Sequence, residues 1–384
     1  MSKLQERSPS LERRRFLRVS SCYGYSTAVV AAAGGYLWND SALAQASADE
    51  EAKERGAKYR MIFATEQRIE DSVRYPVMQA ELKQNIEAAT KNQIFVKLFP
   101  AGQLGMGAQL AQKVQAGTLQ GCSTSLSNLS PYAPAVDLVN IPFWCGRNQQ
   151  FANLVTSKAW NDEITPKVTE RGYKPMFYFT ADARTIAVRK GFPHVIKTPS
   201  DMKGMKMRVP PSQLLQTFYR LAGANPTVVP WGETATAMKQ GVADGLDPAV
   251  TALSVYGFHD LLSWVTFVQS VPDAQMFAAN SGWYRSLSPD VRAAFDDACA
   301  KTVQQAFTQL EVARGNAVTR MRENGAQFYV PTAAEYQQWI EACGPQRKEW
   351  DEFKLKLAGS LAAFDKLMEA ANTQGPFTVA DPKI

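Results

Sequence analysis

The sequence is poor in histidine. Among 384 residues it has only His194 and His259, and its five cysteines include no CxxC pair. Those absences exclude most zinc sites, thioredoxin-type redox motifs and haem attachment. No GxSxG elbow, Walker loop or HExxH motif occurs. Ser200-Asp201-Met202-Lys203 spells SxxK, but the SDN and KTG motifs that accompany it in penicillin-binding enzymes are missing, and the stretch reads as a capped turn after Thr198-Pro199. The acidic pairs Glu50-Glu51 and Asp296-Asp297 fall on a polar linker and a helix face, and read as solvated. Beyond residue 44 no uncharged apolar run is long enough to span a membrane. No basic stripe of the kind that tracks nucleic acid is visible. What remains is a chain that is 45% apolar and 20% charged, long enough for about two domains with real cores.

Charge is the first positive feature. The net charge is +6, and residues 1–44 hold half of it: Lys3, Arg7, Arg13, Arg14, Arg15 and Arg18 against Glu6, Glu12 and Asp40. An uncharged run rich in Ala, Gly and Ser follows, from Val19 to Trp38, and then the small-x-small site Ala42-Leu43-Ala44. Basic region, weakly apolar region and cleavage site predict a secretory signal over residues 1–44. Arg13-Arg14-Arg15-Phe16-Leu17-Arg18 resembles the twin-arginine export consensus, with Arg18 in place of its lysine. The competing reading, an uncleaved anchor, is disfavoured by the cleavage site and the weak hydrophobicity. Removal of the signal leaves 340 residues in the periplasm. There Cys122, Cys145, Cys299 and Cys343 either pair, in one of three ways, or stay as buried free thiols.

Residues 45–58 read as a polar linker. After it the chain alternates. Tyr59–Ala64 is a predicted strand, and a helix with Met78, Leu82, Ile86 and Ala89 on one face follows. Ile94–Phe99 is a strand stopped by Pro100, a glycine-rich turn leads to a helix carrying Leu110 and Val114, and Thr118–Ser123 is a third strand. The middle of the chain repeats the pattern: strands at Met176–Phe179, Thr185–Val188 and Lys206–Val209, a helix capped by Ser212, the stretch Pro226–Val229 leading to Trp231, and another helix over Glu233–Gln240. Pro289–Asn324 and most of Glu335–Asn372 read as helical. Alternating strands and helices predict an α/β protein, and two such sets predict two lobes with a crevice at the strand ends.

Two arginines stand at strand ends. Arg184 follows Thr180-Ala181-Asp182-Ala183, and Arg208 precedes the rigid Val209-Pro210-Pro211 turn. A guanidinium so placed suits bidentate capture of a carboxylate, although a structural salt bridge is the commoner fate of an isolated arginine.

The context decides between them. Ser200-Asp201-Met202-Lys203-Gly204-Met205-Lys206-Met207-Arg208-Val209-Pro210 resembles the "dlkGlkiRvp" segment of DctP-type substrate-binding proteins of tripartite ATP-independent periplasmic (TRAP) transporters. Gly223 to Glu233 is similar to the family's "GanptpmpfgE", and Gln240 to Gly245 to its "tGvvDG". Gly102-Gln103-Leu104-Gly105 and Ile141-Pro142-Phe143-Trp144 resemble two further motifs, and all five keep the family's order. The resemblance implies a two-lobed periplasmic binding protein with two mixed sheets, a central ligand cleft and long C-terminal helices. It divides the chain into lobe I, residues 59–181 with about 273–312, and lobe II, residues 182–272 with about 313–384. It assigns the carboxylate clamp to Arg208, a second ligand arginine to Arg184 with Arg189 as fallback, and a pocket wall to Trp231. Ser125, Thr65 and Glu66 are the positions from which the other lobe reaches the ligand. Where the family often reads "DGqEnP", this chain has the shorter Asp244-Gly245-Leu246-Asp247-Pro248. Asp247 in the asparagine's place would accept but not donate hydrogen bonds, which predicts a monocarboxylate bearing a hydroxyl or amino group. The resemblance implies no cofactor, no metal and no catalysis. It implies two partners, a small organic acid and the TRAP membrane subunits, with a monomer or a homodimer through the C-terminal helices. The alternatives are an enzyme folded before twin-arginine export, or the binding component of another transporter or receptor.

Overall fold

A computed structural model describes residues 40–71 and 74–381. Most of the predicted signal, including its arginines, and Cys22 lie outside the described residues.

The segment expected to be a linker is helical: α1 spans Asp40–Gly56. Glu50, expected to be solvated, is instead buried against the ammonium of Lys83, 3.0 Å away. Lys83 also bonds the carboxylate of Glu87 and the carbonyl of Val96. A buried cation needs such counter-charges, and the need draws α1 onto the fold.

Strand β1 (Tyr59–Ala64) leads through α2 (Gln79–Ala89) to β2 (Ile94–Phe99), then through α3 (Ala108–Gln115) to β3 (Gly121–Ser125). Helix α4 (Asn148–Thr156) precedes the long strand β4 (Tyr173–Ala183), and β5 (Ile186–Arg189) begins after a two-residue crossing. Next come β6 (Lys206–Val209), α5 (Gln213–Leu221), β7 (Asn225–Val228), β8 (Gly245–Leu246), α6 (Val250–Val255), β9 (Leu262–Thr266) and β10 (Pro272–Asn280). Helix α7 (Pro289–Glu323), strand β11 (Gln327–Tyr329) and helices α8 (Ala333–Cys343), α9 (Asp351–Ala358) and α10 (Leu361–Asn372) complete the chain. Ser212 caps α5 as its sequence suggests, its hydroxyl accepting the Leu215 N–H at 3.0 Å.

The strands form two mixed sheets. The first has the order β2-β1-β3-β10-β4, and the second β11-β9-β5-β8-β6-β7. Strand β1 pairs in parallel with β2 and β3, whereas β10 is antiparallel to both β3 and β4. The chain thus crosses between lobes at Arg184-Thr185 and again at 267–271. Helix α7 crosses too. At about 1.5 Å per residue its 35 residues run about 52 Å. Its first half packs Phe295, Cys299 and Phe307 on the core of the first sheet. Its last turns pack Ala317, Val318 and Met321 on the core of the second.

The C-terminal helices do not all sit on lobe II as the sequence division has them. Helix α8 packs on α5, but α10 packs on α4 and α9 against residues 134–140, both on the first-sheet side. Trp144 meets Phe364 of α10 at 4.9 Å between ring centroids, so apolar burial carries these helices back across the lobe boundary. All four cysteines among the described residues are buried free thiols, which closes the question of pairing.

Candidate functional site

A cavity lies between the lobes, where the carboxyl ends of parallel strands meet. Counted with its open mouth, the space is about 430 Å³. The first sheet contributes Glu66 from just past β1, Ser125 from the end of β3, and Asp273 and Gln275 from β10. The second contributes Arg208 from β6, Trp231 from just past β7, and Pro248 from just past β8. Arg184, on the first crossing, lines it as well.

Arg208 is 2% exposed. Its Nε and Nη2 both donate to the carbonyl of Val229, at 3.0 and 2.7 Å, and its guanidinium lies 5.3 Å from the centroid of Trp231. That grip fixes the fork and leaves the remaining nitrogen uncommitted. Among the described residues Arg208 forms no ion pair. Burial pushes its pKa down to about 10, only partly countered by the more distant Asp247. A buried cation without a counter-ion attracts an anion.

Arg184 differs. Its Nη1 is 3.1 Å from Asp247 Oδ1 and its Nη2 is 3.1 Å from Asp273 Oδ1. Burial opposes its charge, but the two carboxylates more than offset that, and its pKa is raised. Only its Nε is left without an acceptor among the described residues. Arg189, the fallback, turns away and pairs with Asp244 at 3.1 Å.

Two expected contacts are corrected. Asp247 is fully buried behind Arg184 and does not line the cavity. Its carboxylate pairs with Arg184. Thr65 does not line the cavity either. Its hydroxyl bonds the carbonyl of Gln67 and the side chain of Gln79, and holds the loop after β1. Ser125 lines the cavity, half-buried, with its oxygen also capping the turn at Asn128 at 3.1 Å.

Glu66 lines the cavity. One carboxylate oxygen accepts the N–H of Gly107 at 2.8 Å. Gly107 stands at the start of α3 with φ 57° and ψ −131°, a conformation that glycine adopts without steric cost. Burial raises Glu66 to about pKa 7 despite that bond. Tyr75, Tyr256, Asp273 and Gln275 escaped sequence reasoning. Tyr256 packs edge-on against Trp231 at 5.0 Å and against Tyr75 at 6.3 Å, making an aromatic wall. Among the described residues no cluster of His, Cys, Asp and Glu is arranged to hold a metal ion.

Fold and site together define a two-lobed binding protein with an anion-seeking cleft. The model of the family of bacterial extracellular solute-binding proteins, family 7 (DctP), matches residues 69–353, about three quarters of the chain, and the chain belongs to that family. Among curated relatives, the 2,3-diketo-L-gulonate-binding periplasmic protein YiaO of Escherichia coli is 22% identical over 58% of this chain, a stretch matching 65% of its own length. The ectoine/5-hydroxyectoine-binding periplasmic protein UehA of Ruegeria pomeroyi is 26% identical over 70% of this chain and 82% of its own. Among solved structures, a TRAP periplasmic solute-binding protein from Roseobacter denitrificans with bound β-D-glucuronate covers 82% of this chain and 100% of its own, at 20% identity and a TM-score of 0.73. The sugar acid binding protein DctPAm from Advenella mimigardefordensis, in complex with galactonate, gives 0.74 at 18% identity, covering 82% and 98%. At these identities the structural likeness speaks for the fold.

Proposed function

We propose that this chain captures a small organic acid in the periplasm and delivers it to the membrane subunits of a TRAP transporter. The single observation that carries the reading is Arg208: buried, preoriented by the Val229 carbonyl, lining the cavity and without a counter-ion of its own. The ligand carboxylate takes that place. Across the cavity Glu66 and Gln275 offer oxygen acceptors, which suits hydroxyl or ammonium donors on the rest of the ligand. Arg184, the other arginine lining the cavity, is already paired with Asp247 and Asp273, so a second carboxylate finds no second open guanidinium among the described lining residues, and a monocarboxylate is favoured over a dicarboxylate such as succinate. This is the ligand first inferred from Asp247, now resting on different residues. Among the relatives, the ligands of some, sugar acids and ectoines, fit that description, while those of others, C4-dicarboxylates including succinate, do not. Export by the twin-arginine route follows from the arginine cluster at residues 13–18. The chain then performs no chemistry itself. Its two lobes close on the acid, and the closed form is what the membrane subunits recognise.

Native mass spectrometry of the purified protein tests the reading, followed by calorimetry with D-glucuronate, galactonate, L-gulonate, ectoine and succinate. The expected result is a bound monocarboxylate, with succinate the weakest of the panel. Tight binding of a cation or an uncharged sugar, with none of the acids bound, contradicts it.

A further inference from the structure

The last described residues, 375–381, lie beyond the stretch that the family model matches. They run along α4 as a strap. The Gly375 N–H donates to Asn153 at 3.0 Å, Gln149 donates to the Phe377 carbonyl at 2.9 Å, and the Val379 N–H donates to Gln149 at 2.8 Å. Phe377 packs on Phe307 of α7 at 5.1 Å between centroids. The strap ends at Arg314 of α7. This arginine donates from Nη2 to the Ala380 carbonyl at 2.9 Å and from Nη1 to the Asp381 carbonyl at 3.2 Å. Its Nε donates to Asp182 Oδ2 at 2.6 Å. Asn148 also joins the two, donating to Asp182 Oδ1 at 2.8 Å and to the Ala380 carbonyl at 3.1 Å.

Asp182 is an unusual residue to find there. It sits at φ 137°, where residues with a side chain are rare. Such a conformation persists only where its surroundings over-determine it. Here the surroundings are visible: Asn148, Arg314 and the Ala183 N–H on its carboxylate, and Thr180 on its backbone. Two residues further on is Arg184, whose N–H bonds the Val271 carbonyl on the second crossing and whose guanidinium lines the cavity.

We infer that the C-terminal strap, acting through Arg314, holds Asp182 in its strained conformation and so makes Asp182 a positioning residue for Arg184 at the crossing between the lobes. Without the strap, Arg314 loses two half-buried acceptors, and the fixed geometry of the node is no longer over-determined. That Arg184 then serves a ligand rests on the proposed function, but the holding of the crossing does not, and the test needs no ligand. Hydrogen exchange is followed by mass spectrometry in the full chain, in a truncation ending at Gln374, and in Arg314→Lys, which keeps the charge but not the fork. Both variants are expected to exchange about tenfold faster in peptides covering residues 182–186 and 267–273, with β3 unchanged, as for a local opening. Faster exchange confined to α4 and the facing part of α7, with the crossings unchanged, overturns the inference. If the truncation does not fold, Arg314→Lys decides alone.

Discussion

At the residue scale, the site separates two arginines that look alike in sequence. Arg184 is already neutralised by Asp247 and Asp273, while Arg208 has, among the described residues, a carbonyl and an indole face but no ion pair. The difference is invisible in the chain, because Asp273 is 89 positions from Arg184 and meets it only through the pairing of β10 with β4. Arg208 was legible because its neighbours, Gly204 to Pro211, are local. Asp247 was misjudged for the complementary reason: adjacency to Pro248, which does line the cavity, does not say on which side of Arg184 the carboxylate falls. Glu66 carries a prediction of its own. Folded, it keeps its proton up to about pH 7; unfolded, only up to its ordinary 4.5. Between those values folding takes up a proton, so its contribution to stability falls as pH rises through the window, by about 3 kcal/mol in all. Denaturation of the ligand-free protein from pH 4.5 to 7.5 should show this fall, and Glu66→Gln should remove that part of it. Identical pH profiles for the two proteins would rule out the buried, proton-holding Glu66.

At the element scale, most strands and helices were readable from periodicity and punctuation. The strand over Lys206–Val209 and the helix started by Ser288-Pro289 fall where the sequence signals them. Strands β8, β9 and β11 were not read, being two to five residues long and shaped by their partners rather than by their own pattern. Strand β10 was missed because it is buried throughout and shows no alternation. Helix α1 was missed because its sequence is polar and its docking comes from tertiary contacts, Glu54 with Lys97 at the surface and, buried, Glu50 with Lys83. That contact is testable. Lys83 is 3% exposed on its side chain and faces both Glu50 and Glu87. Lys83→Ala leaves two buried carboxylates with only the half-exposed Lys53 beside them, and should cost about 3 kcal/mol in chemical denaturation. A loss under about 1 kcal/mol would mean that the triad does not hold α1 in place.

At the scale of the whole molecule, two mixed sheets, two crossings and one helix common to both cores put a small cavity between the two lobes. The central claim is that Arg208 holds the carboxylate of the captured acid. Calorimetry of wild type and Arg208→Ala with the acid recovered by native mass spectrometry tests it most directly. The account predicts a loss of about 2–5 kcal/mol of binding free energy, because one partner of a desolvated ion pair is removed. An unchanged affinity in a folded Arg208→Ala protein would contradict it.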